Sequence, residues 1–320
     1  MSKKFLTFLS TILALAMLTL ASACHLDEDV TSSSLDNSRE TISEESSVSN
    51  DTEGEAEKVL LVSVDGLRPD ALMQTQFGQA WTSRASYCLT AQTIYPSVTL
   101  PAHMSMFYGV EANVHGVTNN TYVRGDELGH GITETLVAAG KSCAMFYDWK
   151  TLGNITTLVR EIQMTYIAGP PSMGKEAYEE SATLLTNACI DHIENTSTDF
   201  TFLYFGLPDE MGHTYGWMSE KYYWAIHHVF ENLERILQIL PKEYVVIVTS
   251  DHGGGGGNGD KNHGSNQAVD MTIPFFIFGD NYEKGKELSN ISILDVAPTV
   301  VDLLDVASES YWAGVSVALN

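Results

Sequence analysis

Residues 59–66 have the sequence VLLVSVDG, a run of mostly β-branched and apolar residues followed by an acid and a glycine. Such a run is typical of a strand buried on both faces, as strands are in a parallel sheet covered by helices. Similar runs occur at residues 87–94, 142–147, 200–205, 244–249 and 273–278. Helical patterns lie between and after them, near residues 100–108, 132–139, 176–193, 220–240 and 295–304. The alternation predicts an α/β fold with a mostly parallel central sheet and helices on both faces.

Outward from this first strand, the 320-residue chain divides into three regions of different composition. Residues 1–23 carry two lysines, an apolar run and a cleavage site of small residues, which is typical of an export signal peptide. Residues 24–58 are predicted to be a disordered, acidic and Ser-rich tether, because their few apolar side chains cannot offset the entropy lost on ordering. Residues 59–320 are predicted to form one folded domain.

The first cysteine, Cys24, directly follows the predicted cleavage site. A small-residue stretch ending in Cys resembles a bacterial lipobox, although Ala21 stands where Leu is usual. The sequence therefore predicts an exported protein, held at the cell surface as a lipoprotein through Cys24, with free extracellular secretion as the alternative. The other cysteines, Cys88, Cys143 and Cys189, lie in apolar segments and are expected to be buried thiols, with a disulfide between two of them left open.

The net charge of the chain is −24, from 41 acids and 17 bases. This charge argues against proteins that bind nucleic acid by neutralising phosphates, and against electrostatic docking on an anionic membrane. The charge is uneven, with −9 on the tether and −17 on residues 59–320. We therefore expect the membrane to be contacted only through a lipid anchor, if Cys24 carries one.

Acids and imidazoles follow three of the predicted strands, and a further histidine lies in a Gly-rich loop. These residues are Asp65, Asp209, His213, Asp251, His252 and His263. Ligands gather beyond the carboxyl ends of strands in such sheets, although each residue alone fits a helix cap or a turn equally well. Three carboxylates and three imidazoles without a neighbouring Cys suit two divalent ions, Zn²⁺ first and Mn²⁺ as the alternative. Two such ions can hold the attacking and leaving oxygens of a displacement at phosphorus.

A nucleophile is predicted in the segment YPSVTLPAH, residues 95–103, which runs from a strand into a helix. Pro101 is tolerated in a first helical turn, so Thr99 is expected at the helix N-terminus. Free N–H groups and the helix dipole favour an anion there. Thr99 could also be a simple helix cap, and Ser97 is a competing hydroxyl.

Together these segments resemble the nucleotide pyrophosphatase/phosphodiesterase family, the type I phosphodiesterases of the alkaline phosphatase superfamily. The motifs that carry the resemblance are VSVDG (62–66), YPSVTLPAH (95–103), HGVTNN (115–120), PDEMGH (208–213), SDHG (250–253), HGSN (263–266) and LDVAPTV (294–300). Their order spans residues 59–320 and implies an alkaline-phosphatase-like core.

The resemblance also implies a role for each matching residue. Two zinc ions are implied, one held by Asp65, Thr99, Asp251 and His252, and the other by Asp209, His213 and His263. Thr99 would be the nucleophile and would form a phospho-threonine intermediate. Asn120 would donate to a non-bridging phosphoryl oxygen and stabilise charge in the transition state.

Two departures from the family concern the substrate. Leu100 stands where the family usually has an aromatic residue that packs on a nucleobase, and it is the predicted substrate contact at that position. Tyr204 is the predicted aromatic wall, with a core tyrosine as the equal alternative. The segment between His252 and His263 is short, which predicts an open, shallow site and leaves open whether His263 reaches a metal.

The charge near Thr99 bears on the substrate class. Residues 94–123 contain no Lys or Arg, and a neutral Asn120 suits the single charge of a diester, with Arg68 as a base that could fold in. Residues 59–320 are therefore predicted to be a phosphodiesterase or nucleotide pyrophosphatase domain that acts on a small phosphodiester or nucleotide and not on a nucleic-acid polymer. The alternatives are a phosphonoacetate hydrolase or phosphomonoesterase of the same superfamily, and a non-catalytic, metal-dependent surface module that binds phosphate.

Overall fold

The computed structural model describes residues 58–122, 128–156, 161–168, 175–257 and 259–318. The predicted signal peptide, Cys24 and the predicted tether up to residue 57 lie outside these ranges, so the assignments made for them stay predictions. Lys58, the last residue of the predicted tether, is the first residue of a strand. Among the described residues, no helix is both long enough and apolar enough to cross a membrane.

Seven strands form one sheet in the order β2-β7-β6-β1-β5-β3-β4. The strands are β1 (Lys58–Val64), β2 (Ser86–Gln92), β3 (Cys143–Tyr147), β4 (Ile162–Tyr166), β5 (Phe200–Phe205), β6 (Tyr244–Thr249) and β7 (Thr272–Phe278). Only β7 runs against its neighbours, β2 and β6, and the other pairs are parallel. The predicted α/β fold with a mostly parallel sheet is therefore confirmed.

Ten α-helices connect these strands within the described residues. They are α1 (Pro69–Leu72), α2 (Gln76–Thr82), α3 (Thr99–Tyr108), α4 (Ala112–His115), α5 (Ile132–Ala138), α6 (Lys175–Asn195), α7 (Leu207–Tyr215), α8 (Glu220–Ile239), α9 (Ala268–Met271) and α10 (Val296–Leu303). The sequence predicted five of them and six of the strands. It missed five helices of nine residues or fewer, which are α1, α2, α4, α7 and α9. It also missed β4, because β4 is a half-exposed edge strand without an apolar run.

The register of the three central strands decides where the functional site lies. β1 pairs in parallel with β5 on one side and with β6 on the other. Val64 at the end of β1 lies opposite Phe205 at the end of β5, and Ser63 lies opposite Thr249 at the end of β6. The three strands therefore end together, and the segments that follow them meet at one edge of the sheet.

The sheet is covered on both faces, as its unbroken apolar strands require. Val59 and Leu61 of β1 pack in the hydrophobic cluster on one face, and Leu60 and Val62 pack in the cluster on the other. Burial of both faces stabilises each such side chain by roughly 1.5–3 kcal/mol. This packing fixes β1 as the centre of the domain.

The described cysteines are all free and buried. Burial raises the pKa of both Cys143 and Cys189 to about 12. These thiols are therefore poor nucleophiles and poor metal ligands at neutral pH. The disulfide that the sequence left open is not formed among Cys88, Cys143 and Cys189.

Candidate metal centre

The site begins where the central strands end. Asp65 directly follows β1, and Asp251 lies two residues beyond the end of β6. β5 is followed by α7, which carries Asp209 in its first turn and His213 one turn later. The i, i+4 spacing places these two side chains on one face of the helix.

Six side chains form two clusters, and within each cluster the ligand atoms lie within 4.8 Å of one another. The buried first cluster contains Asp65, Asp251 and His252, and the more open second cluster contains Asp209, His213 and His263. His263 reaches its cluster despite the short loop, because its Nε2 lies 3.1 Å from Nε2 of His213 and 3.7 Å from Oδ1 of Asp209. The structure therefore brings together all six acids and imidazoles that the sequence singled out.

Thr99 is the hydroxyl that enters the first cluster. It is the first residue of α3, and its Oγ1 lies 3.2 Å from Nε2 of His252. The same Nε2 lies 3.3 Å from Oδ1 of Asp65 and 3.3 Å from Oδ2 of Asp251. Of the four residues predicted to share one metal, three therefore place an oxygen beside Nε2 of the fourth, His252.

The three imidazoles of the clusters share one hydrogen-bonding pattern. Each Nδ1 contacts a backbone carbonyl oxygen: His252 with Gly253 (2.7 Å), His213 with Lys261 (2.9 Å) and His263 with Ser97 (2.8 Å). A carbonyl oxygen only accepts, so Nδ1 carries the proton and Nε2 has the free lone pair. Metal-binding histidines are usually oriented in this way. Every Nε2 that faces a cluster is therefore ready to bind a cation.

Three carboxylate oxygens test whether cations fit the clusters. Oδ1 of Asp65, Oδ1 of Asp209 and Oδ2 of Asp251 are buried and have no hydrogen-bond partner among the described residues. A buried carboxylate oxygen without a partner is unfavourable unless a cation neutralises it. Oxygen and imidazole donors without sulfur suit zinc and harder divalent ions. The residues present therefore fit metal ions at both clusters.

The pKa shifts at the first cluster have the same cause. Burial raises the pKa of Asp65 well above its usual value, and the charges of Asp251 and Asp209 raise it further. Burial and the charge of Asp209 raise the pKa of Asp251 to about 8. Burial, with His263 nearby, lowers the pKa of His252 well below its usual value. Without a metal ion, the first cluster therefore disfavours both the ionised carboxylates and a protonated imidazole. Bound cations would lower the pKa values of the carboxylates again and so favour their ionised form.

Two predicted substrate contacts, Leu100 and Tyr204, have different surroundings in the structure. The Leu100 side chain is fully buried in the core, so it cannot contact a substrate, and the expectation for it was wrong. Tyr204 is 2% exposed and its hydroxyl donates to Oδ2 of Asp65, yet it also lines the cavity over the clusters, so it is a core side chain at the edge of the site. Its role here is to support a carboxylate of the first cluster.

Asn120 adjoins the nucleophile through the backbone. The N–H of Leu100 donates to Oδ1 of Asn120 at 2.9 Å, in the first turn of α3. Since Oδ1 is the acceptor, the amide group of Asn120 is left to donate. Asn120 and Thr99 line the same cavity, which places that donor beside the hydroxyl.

The competing groups near Thr99 are committed to other contacts. Ser97 is fully buried and its hydroxyl donates to the carbonyl of Ser265 at 2.8 Å. His103 contacts the carbonyl of Thr99 through Nδ1 at 2.7 Å and the hydroxyl of Ser63 through Nε2 at 2.9 Å. Thr99 is therefore the hydroxyl that faces the clusters.

A cavity of about 420 Å³ lies over the clusters and has a wall that the sequence did not predict. The additional lining residues are Asp148, Trp149, Lys150, Thr151, Tyr166, Gly206 and Glu210. Several of them directly follow β3, so the rule about strand ends would have found them had it been applied to that strand. Tyr166 ends β4, which the sequence did not reveal.

The base that lines the cavity is Lys150 and not Arg68. The Arg68 guanidinium donates to both oxygens of Asp70, at 2.9 and 2.6 Å, and to the carbonyl of Gly254 at 3.0 Å. It lines a separate groove. The expectation that Arg68 could fold into the site is therefore wrong.

Asp148 is a buried acid of the cavity wall that belongs to neither cluster. Its Oδ1 accepts the N–H of Gly206 at 3.0 Å, and the Ser181 hydroxyl lies 3.4 Å from Oδ2. Burial raises the pKa of Asp148 to about 7. The wall therefore carries a carboxyl group that is partly protonated at neutral pH.

Comparison of the sequence with known proteins identifies one matching family. The family described as type I phosphodiesterase / nucleotide pyrophosphatase matches residues 59–290. A curated relative, the 2,3-bisphosphoglycerate-independent phosphoglycerate mutase of Ehrlichia canis, is 32% identical over 142 residues. That alignment covers 43% of this chain and 28% of the mutase, so the chain spans little more than a quarter of that relative.

Solved structures share the fold at low sequence identity. A 2-O GAG sulfatase has a TM-score of 0.64 at 15% identity, over 82% of this chain and 74% of its own. Murine ectonucleotide pyrophosphatase/phosphodiesterase 5 has a TM-score of 0.61 at 17% identity, over 80% of this chain and 98% of its own. The phosphonate monoester hydrolase of Agrobacterium radiobacter has a TM-score of 0.61 at 14% identity, over 81% of this chain and 76% of its own. These likenesses confirm the predicted alkaline-phosphatase-like fold.

The first prediction concerns metal content. We expect two divalent metal ions per chain by elemental analysis, because each cluster offers buried oxygens and free imidazole nitrogens to one ion. His213→Ala should lower the content to about one, whereas His130→Ala, at an exposed histidine outside both clusters, should leave it unchanged. A content near zero in the unaltered protein would contradict the metal assignment.

The second prediction concerns Asp148 and pH. The raised pKa means that the folded protein keeps this proton between about pH 4 and pH 7 while the unfolded chain loses it, so the free energy of unfolding falls as pH rises through that window. Asp148→Asn keeps an oxygen for Gly206 and removes the ionisation. Urea unfolding of metal-free protein should show the variant gaining about 3 kcal/mol relative to the unaltered chain between pH 5 and pH 8, since about two pH units of the window lie above pH 5. If the variant and the unaltered chain differed in free energy of unfolding by the same amount at pH 5 and at pH 8, this prediction would be wrong.

Proposed function

The chain belongs to the type I phosphodiesterase / nucleotide pyrophosphatase family of the alkaline phosphatase superfamily, and we propose that it hydrolyses small phosphodiester or pyrophosphate substrates. Membership makes it a hydrolase of that superfamily and confirms the resemblance found in the sequence. One observation carries the proposal: Oγ1 of Thr99 lies at a helix N-terminus, 3.2 Å from Nε2 of His252 and beside two buried carboxylates.

The helix N-terminus prepares Thr99 to meet an anion. The free N–H groups of the first turn of α3 and the helix dipole favour negative charge at that end. A threonine hydroxyl is barely acidic in water, so it needs activation. Two bound divalent ions, zinc in our proposal and Mn²⁺ as the alternative, would lower the pKa of the Thr99 hydroxyl and offset charge on the phosphoryl oxygens.

The reaction would proceed in two displacements at phosphorus. Oγ1 of Thr99 loses its proton and forms a bond to phosphorus while the bond from phosphorus to the leaving oxygen breaks. The leaving oxygen departs with the bonding electron pair and takes up a proton from water. The product is a phospho-threonine that keeps the second ester group of a diester substrate. Water then attacks the same phosphorus, the bond to Oγ1 breaks, and the hydroxyl of Thr99 is restored. The amide of Asn120 would donate to a non-bridging oxygen in both steps.

The cavity wall bears on the substrate class. Asn120, beside Thr99, is neutral and suits a reacting phosphorus that carries a single charge. Lys150 would offset a second phosphate, as in a nucleotide pyrophosphate. Trp149 and Tyr166, which is 41% exposed, offer aromatic surface to a ring of the substrate. An inactive variant of murine ectonucleotide pyrophosphatase/phosphodiesterase 5 has been solved in complex with AMP, which supports a nucleotide as the substrate proposed here.

A phosphomonoesterase of the same superfamily is the second candidate. Lys150 favours it, because a cation near the clusters could balance the dianion of a monoester. A phosphonoacetate hydrolase remains the related alternative within catalysis. A non-catalytic phosphate-binding module would not need a hydroxyl within the ligand set, and Thr99 therefore argues against it.

The setting of the enzyme is proposed from the sequence alone. The signal-like residues 1–23 and Cys24 support export and attachment to the cell surface by a lipid. The charge of −17 on residues 59–320 would repel nucleic-acid polymers, which limits the substrate to a small molecule.

The third prediction tests the nucleophile. Thr99→Ala should lower kcat at least about a thousandfold, because the other described hydroxyls beside the first cluster, on Tyr204 and Ser250, are held by hydrogen bonds to protein groups. Thr99→Ser, which keeps a hydroxyl, should retain measurable turnover. Acid quenching during turnover of a diester, followed by peptide mass spectrometry, should find on Thr99 of the unaltered enzyme the phosphoryl group with the ester group that the substrate retains. Undiminished turnover in Thr99→Ala would remove the assignment.

The fourth prediction tests the substrate class. With zinc present, kcat/KM for bis-p-nitrophenyl phosphate should exceed that for p-nitrophenyl phosphate. Lys150→Ala should leave the diester rate within about threefold, since that substrate has no second phosphate. Equal or reversed rates would contradict the diester assignment, and a monoester rate that collapses in Lys150→Ala would favour the phosphomonoesterase.

A further inference from the structure

One fully buried carboxylate outside the two clusters has no part in the chemistry above. Asp270 lies on α9, directly before β7, and is 0% exposed. Its Oδ1 accepts the N–H of Gly256 at 2.9 Å. Its Oδ2 accepts the N–H of Ser265 at 2.9 Å and the Ser265 hydroxyl at 2.6 Å. One side chain therefore joins two points of the chain that lie nine residues apart in sequence.

These two points enclose the segment that carries His263. Gly256 precedes the segment and Ser265 follows His263 by two residues. The carboxylate approaches Gly256 so closely that a Cβ added there would lie 2.5 Å from Oδ1 of Asp270. Glycine is thus required by the contact itself. Asp270 closes the short loop from inside, where a longer loop would pack on its own side chains.

Ser265 also connects the loop to the nucleophile segment. Its carbonyl accepts the hydroxyl of Ser97 at 2.8 Å, and the carbonyl of Ser97 accepts Nδ1–H of His263 at 2.8 Å. Asp270, Ser265 and Ser97 therefore form a continuous chain of hydrogen bonds from α9 to the residue two positions before Thr99. A Gly-rich segment without such fastening would sample many conformations.

We propose that Asp270 is a positioning residue for the second cluster: by fastening Gly256 to Ser265 it holds His263 where Nε2 reaches Asp209 and His213. It touches neither substrate nor reacting atoms. The first cluster does not depend on the Asp270 side chain in the same way, because Asp65 directly follows β1 and Asp251 lies two residues beyond β6. The contact of Asp270 beside that cluster, from the N–H of Gly253, goes to its backbone carbonyl and is kept when the side chain changes. This inference rests on the proposed metal-dependent function and names what holds one of its ligands in place.

The test compares zinc affinity at the two clusters. In Asp270→Asn, an amide N–H₂ would face backbone donors where an oxygen now accepts, so the fastening weakens with little change in volume. Equilibrium dialysis against buffered zinc should show one site weakened about 10- to 100-fold, and the other within about twofold of the unaltered protein. Hydrogen exchange of the metal-free variant should rise in residues 253–267.

Asp295 provides a matched control. It is also a buried aspartate whose oxygens accept two backbone N–H groups, from Ser292 and Val315 at 2.8 Å each, and it contacts neither cluster. Asp295→Asn should alter thermal stability without changing either zinc affinity. If Asp270→Asn gives no cooperative melt, Ser265→Ala keeps the backbone bond to Asp270 and removes the hydroxyl, which donates to Asp270 and accepts from the N–H groups of Gly257 and Gln267. This variant should weaken the same single site.

The outcomes separate this inference from the proposed function. If the unaltered protein binds two zinc ions and Asp270→Asn binds both as tightly, the role of Asp270 is overturned. Equal weakening of both sites, or weakening in Asp295→Asn as well, also overturns it. If the unaltered protein binds no zinc, the proposed function fails, while faster exchange confined to residues 253–267 would still support the fastening by Asp270.

Discussion

Three carboxylates that face one another inside the protein are the constraint on which the rest of the structure depends. Asp65, Asp209 and Asp251 each keep an oxygen that no described residue hydrogen-bonds. Burial and neighbouring carboxylates raise the pKa of Asp65 and of Asp251, so the arrangement needs a rigid frame and a cationic occupant. The parallel register supplies the frame, since the segments follow strands that end together. The turn at Gly66 is held further by Tyr222 and Trp217, whose side chains donate to its carbonyl at 2.7 and 3.0 Å.

The sequence predicted those parts of the fold and site that follow from local pattern. Central strands are apolar runs, and the acid or imidazole after each one is visible in the chain, so the six cluster residues could be found. What the sequence missed depends on contacts between distant segments. The Arg68 guanidinium donates to the carbonyl of Gly254, 186 residues away in sequence. Asp148 accepts the N–H of Gly206, 58 residues away. Leu100 lies beside the nucleophile in sequence, yet the face of α3 that carries it packs into the core. No local pattern specifies such partners.

The fold is shared by proteins whose names describe sulfatases, phosphodiesterases and phosphonate hydrolases. A common core therefore does not decide the substrate, and the side chains around the clusters must do so. In this chain such side chains stand on the wall that follows β3, where Lys150 and Trp149 line the cavity. The clusters would provide the reactivity, and the wall would select what reaches it.

The way in which the three imidazoles are held has a consequence for how this enzyme can change over time. Each Nδ1–H is bound by a main-chain carbonyl, not by a side chain. No single substitution can delete a carbonyl, so ring orientation and tautomer are inherited with the path of the backbone. The wall, by contrast, is built of side chains that one codon can replace. Substitutions in the wall can therefore change the substrate, while the orientation of the three imidazoles is kept.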